Sequence, residues 1–557
     1  MSRVHVLFFP MLLLFACSDC EAPSAEATRA PAQQKREPLS HRTPYVPPQC
    51  YTKTQGADGR VHNPCYVCHQ SSTPPNYIND PDVQLAYAFP EPALVNPWTN
   101  LFVDRRKAVA AISDEEILGW VRQSNYFDAD GRPLLSKTLA DVPTAWDVNG
   151  NGKWEGWVPD LHFRFDDLGF DRRGDGSYTG WRAYGYFPFP GTFWPTNGSF
   201  GDAMIRLPAP FRQNLSGKFD RNIYELNLAI TESLIARRDV KIPSTDETQL
   251  GVDLDGDGQL GTADKVKYRW TPGEGTPMTW VGAAQKLQDA GKVHLLAGLF
   301  PEGTELAHGV YYLDVVDGRP TLAKRMKELR YMVKAAWLSY GDHELAATNE
   351  TMEALEKPDA TRRIEGNAEV GVGNRAGWRL QGFIEDADGA LRPQTREEHG
   401  YCLGCHSGVA ATDDSVFSFG RKLPDDAFQG GWFHGSQRDL RGLPEPLRAD
   451  GQPEYAHYLQ HNGAGDEFRA NTEVLERFFT SDGKLNEDAL RALRSDISTL
   501  LLPSPERALN LNKAYRVIVR EQSFIRGRDA TVAPSANVHR DLSTSEEELT
   551  TGITQPL

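Results

Sequence analysis

Two five-residue stretches, Cys65-Tyr66-Val67-Cys68-His69 and Cys402-Leu403-Gly404-Cys405-His406, carry the same C-x-x-C-H spacing. Thiols three positions apart lie on one turn of helix, where both can form thioethers with the two vinyl groups of a single porphyrin. The adjacent imidazole then falls beneath the iron as its near-side ligand. With 7 Cys and 14 His in the chain, chance supplies roughly 0.002 such motifs. A thioredoxin-like dithiol or half of a zinc site leaves both trailing histidines without a purpose. The spacing predicts two covalently bound haem c groups, one on Cys65, Cys68 and His69, the other on Cys402, Cys405 and His406.

What such an iron does depends on the group opposite the histidine. No methionine follows His406, and the first after His69 is Met204. Histidine or an open position remains, the first lowering the potential relative to methionine and the second admitting peroxide or oxygen. His434, within Gly430-Gly431-Trp432-Phe433-His434-Gly435, is the first choice for a metal ligand, because glycine lets backbone approach a porphyrin closely. His62, His457 and His461 are further candidates.

A second kind of site is written in oxygen. The run from Asp253 to Asp264 places acids at loop positions 1, 3, 5 and 12 and glycine at position 6. That pattern suits Ca2+, with Asp253, Asp255, Asp257, Gln259 and Asp264 as the expected donors. It resembles the dockerin-like form of the EF-hand loop, which has Asp at its end. Asp147-Val148-Asn149-Gly150-Asn151-Gly152 begins the same way but reaches Val158 at the twelfth position. Either Glu155 or Asp160 closes a distorted site there, or the stretch is an Asn-Gly turn.

The start of the chain says where these sites operate. Met1-Ser2-Arg3, a short apolar run to Leu14, and then Phe15-Ala16-Cys17 form a secretory signal too short to span a bilayer. It resembles a bacterial lipoprotein signal, which implies lipidation at Cys17, a membrane held through that anchor, and a periplasmic or cell-surface location. Four haem cysteines and one lipidated cysteine leave Cys20 and Cys50, which an oxidising compartment allows to pair or to stay free. A formal charge of −16 without any basic run argues against nucleic-acid binding.

Positioning these groups calls for several segments. After the signal (1–16), residues 17–48 are rich in Pro, Ala and Gln and read as a flexible tether. A first haem region (49–125) contains Ser113 and Glu116 in a helix-capping pattern. Residues 126–275 crowd Trp, Tyr, Asp-Gly and Asn-Gly into short strands and loops carrying the calcium site, interrupted by a helix from Asn222 to Ala236. Region 276–390 is expected to hold a helix from about Leu322 to Tyr340 and a hairpin at Trp378–Leu391. A haem domain (391–530), opened by Thr395 and Glu398, contains helices near 467–479, 486–499 and 505–522, and 531–557 reads as a structureless tail. The expected fold is mainly α around two c-type haems, with a β- and loop-rich calcium-binding insert, α+β as a whole.

By its paired motifs and leader the chain resembles the di-haem c-type cytochromes of bacteria. Di-haem peroxidases and oxygenases share two separated C-x-x-C-H motifs and a calcium site, although the span between His69 and His406 exceeds their usual spacing. The resemblance implies a membrane-tethered extracytoplasmic electron-transfer protein with a redox partner protein. The alternative is a di-haem oxidoreductase with one substrate-accessible haem.

Overall fold

The structure is a computed structural model that describes residues 38–57, 59–70, 72–77, 87–271, 278–417, 419–425 and 429–543. The signal, Cys17 and Cys20 lie outside the described residues. From Ser40 onward the chain forms one compact unit.

Its frame is a ten-stranded antiparallel sheet. The strands are β1 (Phe170–Arg172), β2 (Tyr178–Ala183), β3 (Phe200–Gly201), β4 (Met204–Arg206), β7 (Glu305–Val316), β8 (Arg319–Lys334), β9 (Gly366–Asn367), β10 (Gly371–Gly373), β11 (Trp378–Glu385) and β12 (Leu391–Pro393). Their order is β1-β2-β4-β7-β8-β11-β10-β9, with β3 also on β7 and β12 on β11. β5 (Val240–Asp246) and β6 (Thr262–Val266) make a separate pair. The long β7–β8 hairpin turns at Asp317-Gly318, where both residues have positive φ, 49° and 72°. Two such residues form the tight turn whose twist matches that of paired strands.

This frame corrects the expected fold, which was mainly helical around two haems. The largest single error is the helix expected from Leu322 to Tyr340: residues 319–334 are β8, and a helix begins only at Tyr340. Leu322, Met326, Leu329 and Val333 have helical spacing because the β7–β8 ladder shifts register at Val310/Tyr311 and again at Tyr311/Leu313. Extra residues at a bulge break the period of two, and pairing on both sides then overrides the local pattern.

Elsewhere local signals and structure agree. The helix Arg221–Ala236 is capped by Asp220, and Ser113 accepts from the Glu116 amide to open Asp114–Val121. β11 and β12 form the expected hairpin, and helices occupy Thr472–Phe478, Glu487–Ser495, Ser498–Leu501 and Pro505–Glu521. The last of these packs on β7, with the Asn512 amide donating to the Leu313 carbonyl at 2.7 Å and Tyr515 edge-on to Tyr312.

Described residues toward both ends pack onto the body. Thr43 and Val46 are buried, so the tether cannot extend to residue 48. Within the tail, Val538 bridges Thr52, Asp541 bridges Val95, and Leu542 is buried.

Candidate functional site

Both C-x-x-C-H stretches fold into the same local shape. The His69 amide donates to the Cys65 carbonyl and the His406 amide to the Cys402 carbonyl, each at 2.9 Å, while Cys68 and Cys405 close the inner bond of each turn. Each motif is therefore a single tight helical turn, which gathers two thiols and one imidazole. Pro64 stands before the first turn, where a missing amide is tolerated. A five-residue helix, Arg396–Gly400, leads into the second. It carries a full capping box between Thr395 and Glu398, and Glu398 is in turn held by Arg392 at 2.8 Å.

The tertiary fold adds a clamp on His406. Its Nδ1–H donates to the Ser415 carbonyl at 2.8 Å, which fixes the ring and leaves Nε2 directed away. Hydrogen bonding of this kind orients a metal-binding imidazole and raises its basicity. Asp414 and Ser415 both have positive φ, 48° and 64°, a conformation that costs energy for non-glycine residues. A buried ion pair holds the strained carbonyl in place. Lys334, at the end of β8, donates to Asp414 Oδ1 at 2.5 Å, and the Phe300 amide donates to Oδ2 at 3.0 Å. Asn374 also donates to the His406 carbonyl at 2.7 Å.

Cys402, Cys405 and His406 line a cavity whose other wall is the sheet. Leu306, His308 and Val310 of β7 alternate along one face and pair directly with Met332, Arg330 and Glu328 of β8. All six line the cavity, together with Tyr184, Phe189, Phe193 and Phe417. His308 lies within electrostatic reach of His406, and burial, with Arg330 and His406 as lesser causes, lowers it to about 3. His406 is lowered to about 4 by burial, against the opposing Ser415 hydrogen bond. Both rings are therefore neutral and able to offer a lone pair. An apolar cavity with two cysteines on one turn and a clamped histidine fits a covalently held porphyrin.

The two motifs, far apart in sequence, meet in space. Cys68 lies within electrostatic reach of Cys405, Cys50 and Cys65, and Cys50 within reach of Cys65 and Cys405. Glu467 sits beside both Cys68 and Cys405, and burial pushes it up to about 8. The chain that follows each motif is also joined: Asn76 donates to the Val409 carbonyl at 2.6 Å.

The other candidate histidines fall elsewhere. In His434, Nδ1 accepts from Ser436 and Nε2 donates to Asp202 Oδ2 at 3.2 Å, an oxygen also reached by Tyr311. His434 is thus held in a side-chain network and is not on the cavity wall. His62 and His457 line a second cleft of about 970 Å³ with Arg60 and Arg469. The His461 ring lies 4.3 Å from that of His457 and is tilted 44° to it. Sequence reasoning missed His308, whose one signal is a polar residue on the apolar face of an alternating strand.

The acidic loop from Asp253 gathers its oxygens with an acid other than the expected Asp264. Glu247, Asp253 and Asp255 bring oxygens within 4.8 Å of one another, and Asp264 stands exposed on β6. Asp257 turns its carboxylate onto the Gln259 amide at 2.7 Å. Glu247, buried and outside the motif, accepts from the amides of Leu254 and Gly261 at 2.5 and 2.9 Å. The loop at Asp147 copies this geometry. Asp147 accepts from Gly150 and Gly152 as Asp253 does from Gly256 and Gly258. Glu369 then takes the place of Glu247, accepting from Val148 and Glu155 at 3.3 and 2.7 Å. Asp160 is drawn away to Arg206 and Trp181, and Glu155 accepts from Asn151.

Comparison with known proteins covers most of the chain. Residues 35–496 match a family described as a "-like lipoprotein". A protein of Aquifex aeolicus (strain VF5) named "Uncharacterized lipoprotein" is 32% identical over 577 residues, covering 94% of this chain and 92% of its own. No solved structure matches. Kinship with the bacterial di-haem c-type cytochromes is therefore corrected: the family spanning the chain is a lipoprotein family, and its frame is a sheet. Among the described residues no helix is long and apolar enough to cross a membrane.

Proposed function

The chain belongs to this lipoprotein family, held outside the cytoplasm by a lipid anchor, and from that premise we propose that it is an extracytoplasmic redox protein. It carries one covalent haem c on Cys65 and Cys68 and another on Cys402 and Cys405, with His69 and His406 as the near-side ligands and Cys17 as the lipidated residue. The observation supporting this reading is the convergence of two identically folded C-x-x-C-H turns, one of them facing an apolar cavity. When bound, each haem would take up and release a single electron.

The residues divide the remaining work. The paired cysteines anchor the porphyrin, and the Ser415 carbonyl holds His406 in one tautomer. Arg330 and Arg528, both near Cys402, bring positive charge to the edge of the cavity. With the two motifs packed together, haems held there would lie near each other, and a partner protein would exchange electrons with the pair. Intact mass and peroxidase staining of the denatured chain, produced with haem-maturation machinery, test the reading. A mass exceeding the processed, acylated chain by two haems is expected, and a stain-negative chain of unaltered mass overturns it.

The same reading includes a Ca2+ ion on Glu247, Asp253 and Asp255 that stiffens the loop joining β5 to β6. Added Ca2+ is expected to raise Tm by a few degrees, and Glu247→Gln to abolish that response. An unchanged Tm with Ca2+ in the wild type removes the ion from the account.

A further inference from the structure

The geometry points to His308 as the axial ligand on the far side of the iron held by His406. This rests on haem attachment at Cys402 and Cys405 and adds what that attachment leaves open, namely the sixth coordination position. His308 and His406 line one cavity, the first from β7 in the sheet and the second from the C-x-x-C-H turn. They are the two histidines on its lining, and they lie within electrostatic reach of each other. β7 cannot easily yield: its neighbours β4 and β8 pair on both sides, with Ala307 opposite Met204 and His308 opposite Arg330. The adjacent Gly309 amide is fixed by the buried carboxylate of Asp202. A ligand mounted on a central strand is preorganised, so the site favours a six-coordinate, low-spin iron suited to electron exchange rather than to binding a substrate.

Met204 and Met332 also line the cavity. Met204 is packed in the core between β2 and β7, and Met332 pairs across from Leu306, one row of the sheet away from His308. They are the competing ligands, and the experiment separates them. The full chain and its His308→Gln, His308→Met, Met332→Leu, Met204→Leu and His434→Gln variants are prepared with haem, and covalent haem is counted by mass before any spectrum is taken. Ferric electron paramagnetic resonance and optical spectra then report spin state. Wild type should show a low-spin iron at the second motif. His308→Gln should convert about half of the total iron to high spin at unchanged haem content, with added imidazole restoring low spin, and His308→Met should keep the iron six-coordinate while raising its potential. The two methionine variants and His434→Gln should keep the iron low-spin. An undiminished low-spin fraction at full haem content in His308→Gln overturns the assignment, as does loss of low spin in either methionine variant. A wild-type chain without covalent haem is a different result, read from the mass, and it fails the underlying reading first.

Discussion

The two C-x-x-C-H regions have the same turn and opposite surroundings. Around Cys402 the turn is set from outside: a capped helix leads in, β8 supplies Lys334 to brace Asp414, and the Ser415 carbonyl locks His406. Around Cys65 the turn is bounded by short loop contacts, such as the Gln55–Val61 bridge and the Asn63 amide on the His461 carbonyl at 3.0 Å. A histidine precedes each motif at the same distance, His62 and His399. Both are buried, His399 completely and His62 at the margin of a cleft. The contrast teaches that local sequence suffices to shape the attachment turn, whereas the sheet decides how rigidly its histidine is held.

The largest effect should come from deleting the attachment points themselves. Cys65→Ser/Cys68→Ser and Cys402→Ser/Cys405→Ser should each halve the covalent haem per chain, measured by mass. The first pair should lower Tm more than the second, because the loops around Cys65 have less packing to fall back on. Equal losses of Tm would erase the distinction between the regions.

Breaking the brace comes next. Lys334→Met strands the Asp414 carboxylate, fully buried, without its cation. Removing one partner of a buried pair costs about 3–5 kcal/mol, to be read as a shift in the urea midpoint. The strained 414–415 backbone should relax, and the loosened Ser415 carbonyl should broaden the spectrum of the iron at His406 while the first site stays unchanged.

The braces are also where the sequence was least legible. The attachment motifs, the capping box at Thr395 and the β11–β12 hairpin are local, and their residues could be read directly. Lys334 and His308 owe their roles to contacts between distant segments, and Ser415 and Glu247 to loop turns that bring back residues outside either motif. Bulges in the β7–β8 ladder further disguised β8 as a helix, and with it the strand that supports the whole second site. The EF-hand-like spacing points to Asp264, whereas the structure gathers Asp253 and Asp255 with Glu247, a buried glutamate that lies before the motif and outside its pattern.

A pH series sharpens the comparison further. His399 donates from Nδ1 to the Thr395 carbonyl and accepts at Nε2 from the Gly382 amide, both at 2.9 Å. Burial lowers it from 6.5 to about 4, so the folded state resists protonating it. A depressed histidine contributes stability that is complete above pH 6.5 and is lost as pH falls toward 4. The shift corresponds to about 3 kcal/mol across that window. Denaturant midpoints should fall over this range in the wild type, and His399→Gln should flatten that part of the profile. An unchanged slope in the variant would assign the acid sensitivity to other groups.

The smallest effect probes the lead-in to the second turn. Thr395 Oγ1 accepts from the Glu398 amide at 3.2 Å, and the Glu398 carboxylate accepts from the Thr395 amide at 2.8 Å. Thr395→Ala removes the first bond only, and a lost cap costs about 1 kcal/mol. Glu398 keeps its bonds to Arg392, so the helix should shorten at its start rather than melt. Because the sheet clamps His406 independently, the iron spectrum should not change while the urea midpoint drops slightly. A spectral change from so light a cut would mean that the attachment turn inherits its shape from the helix before it, and that the two regions differ less than their surroundings suggest.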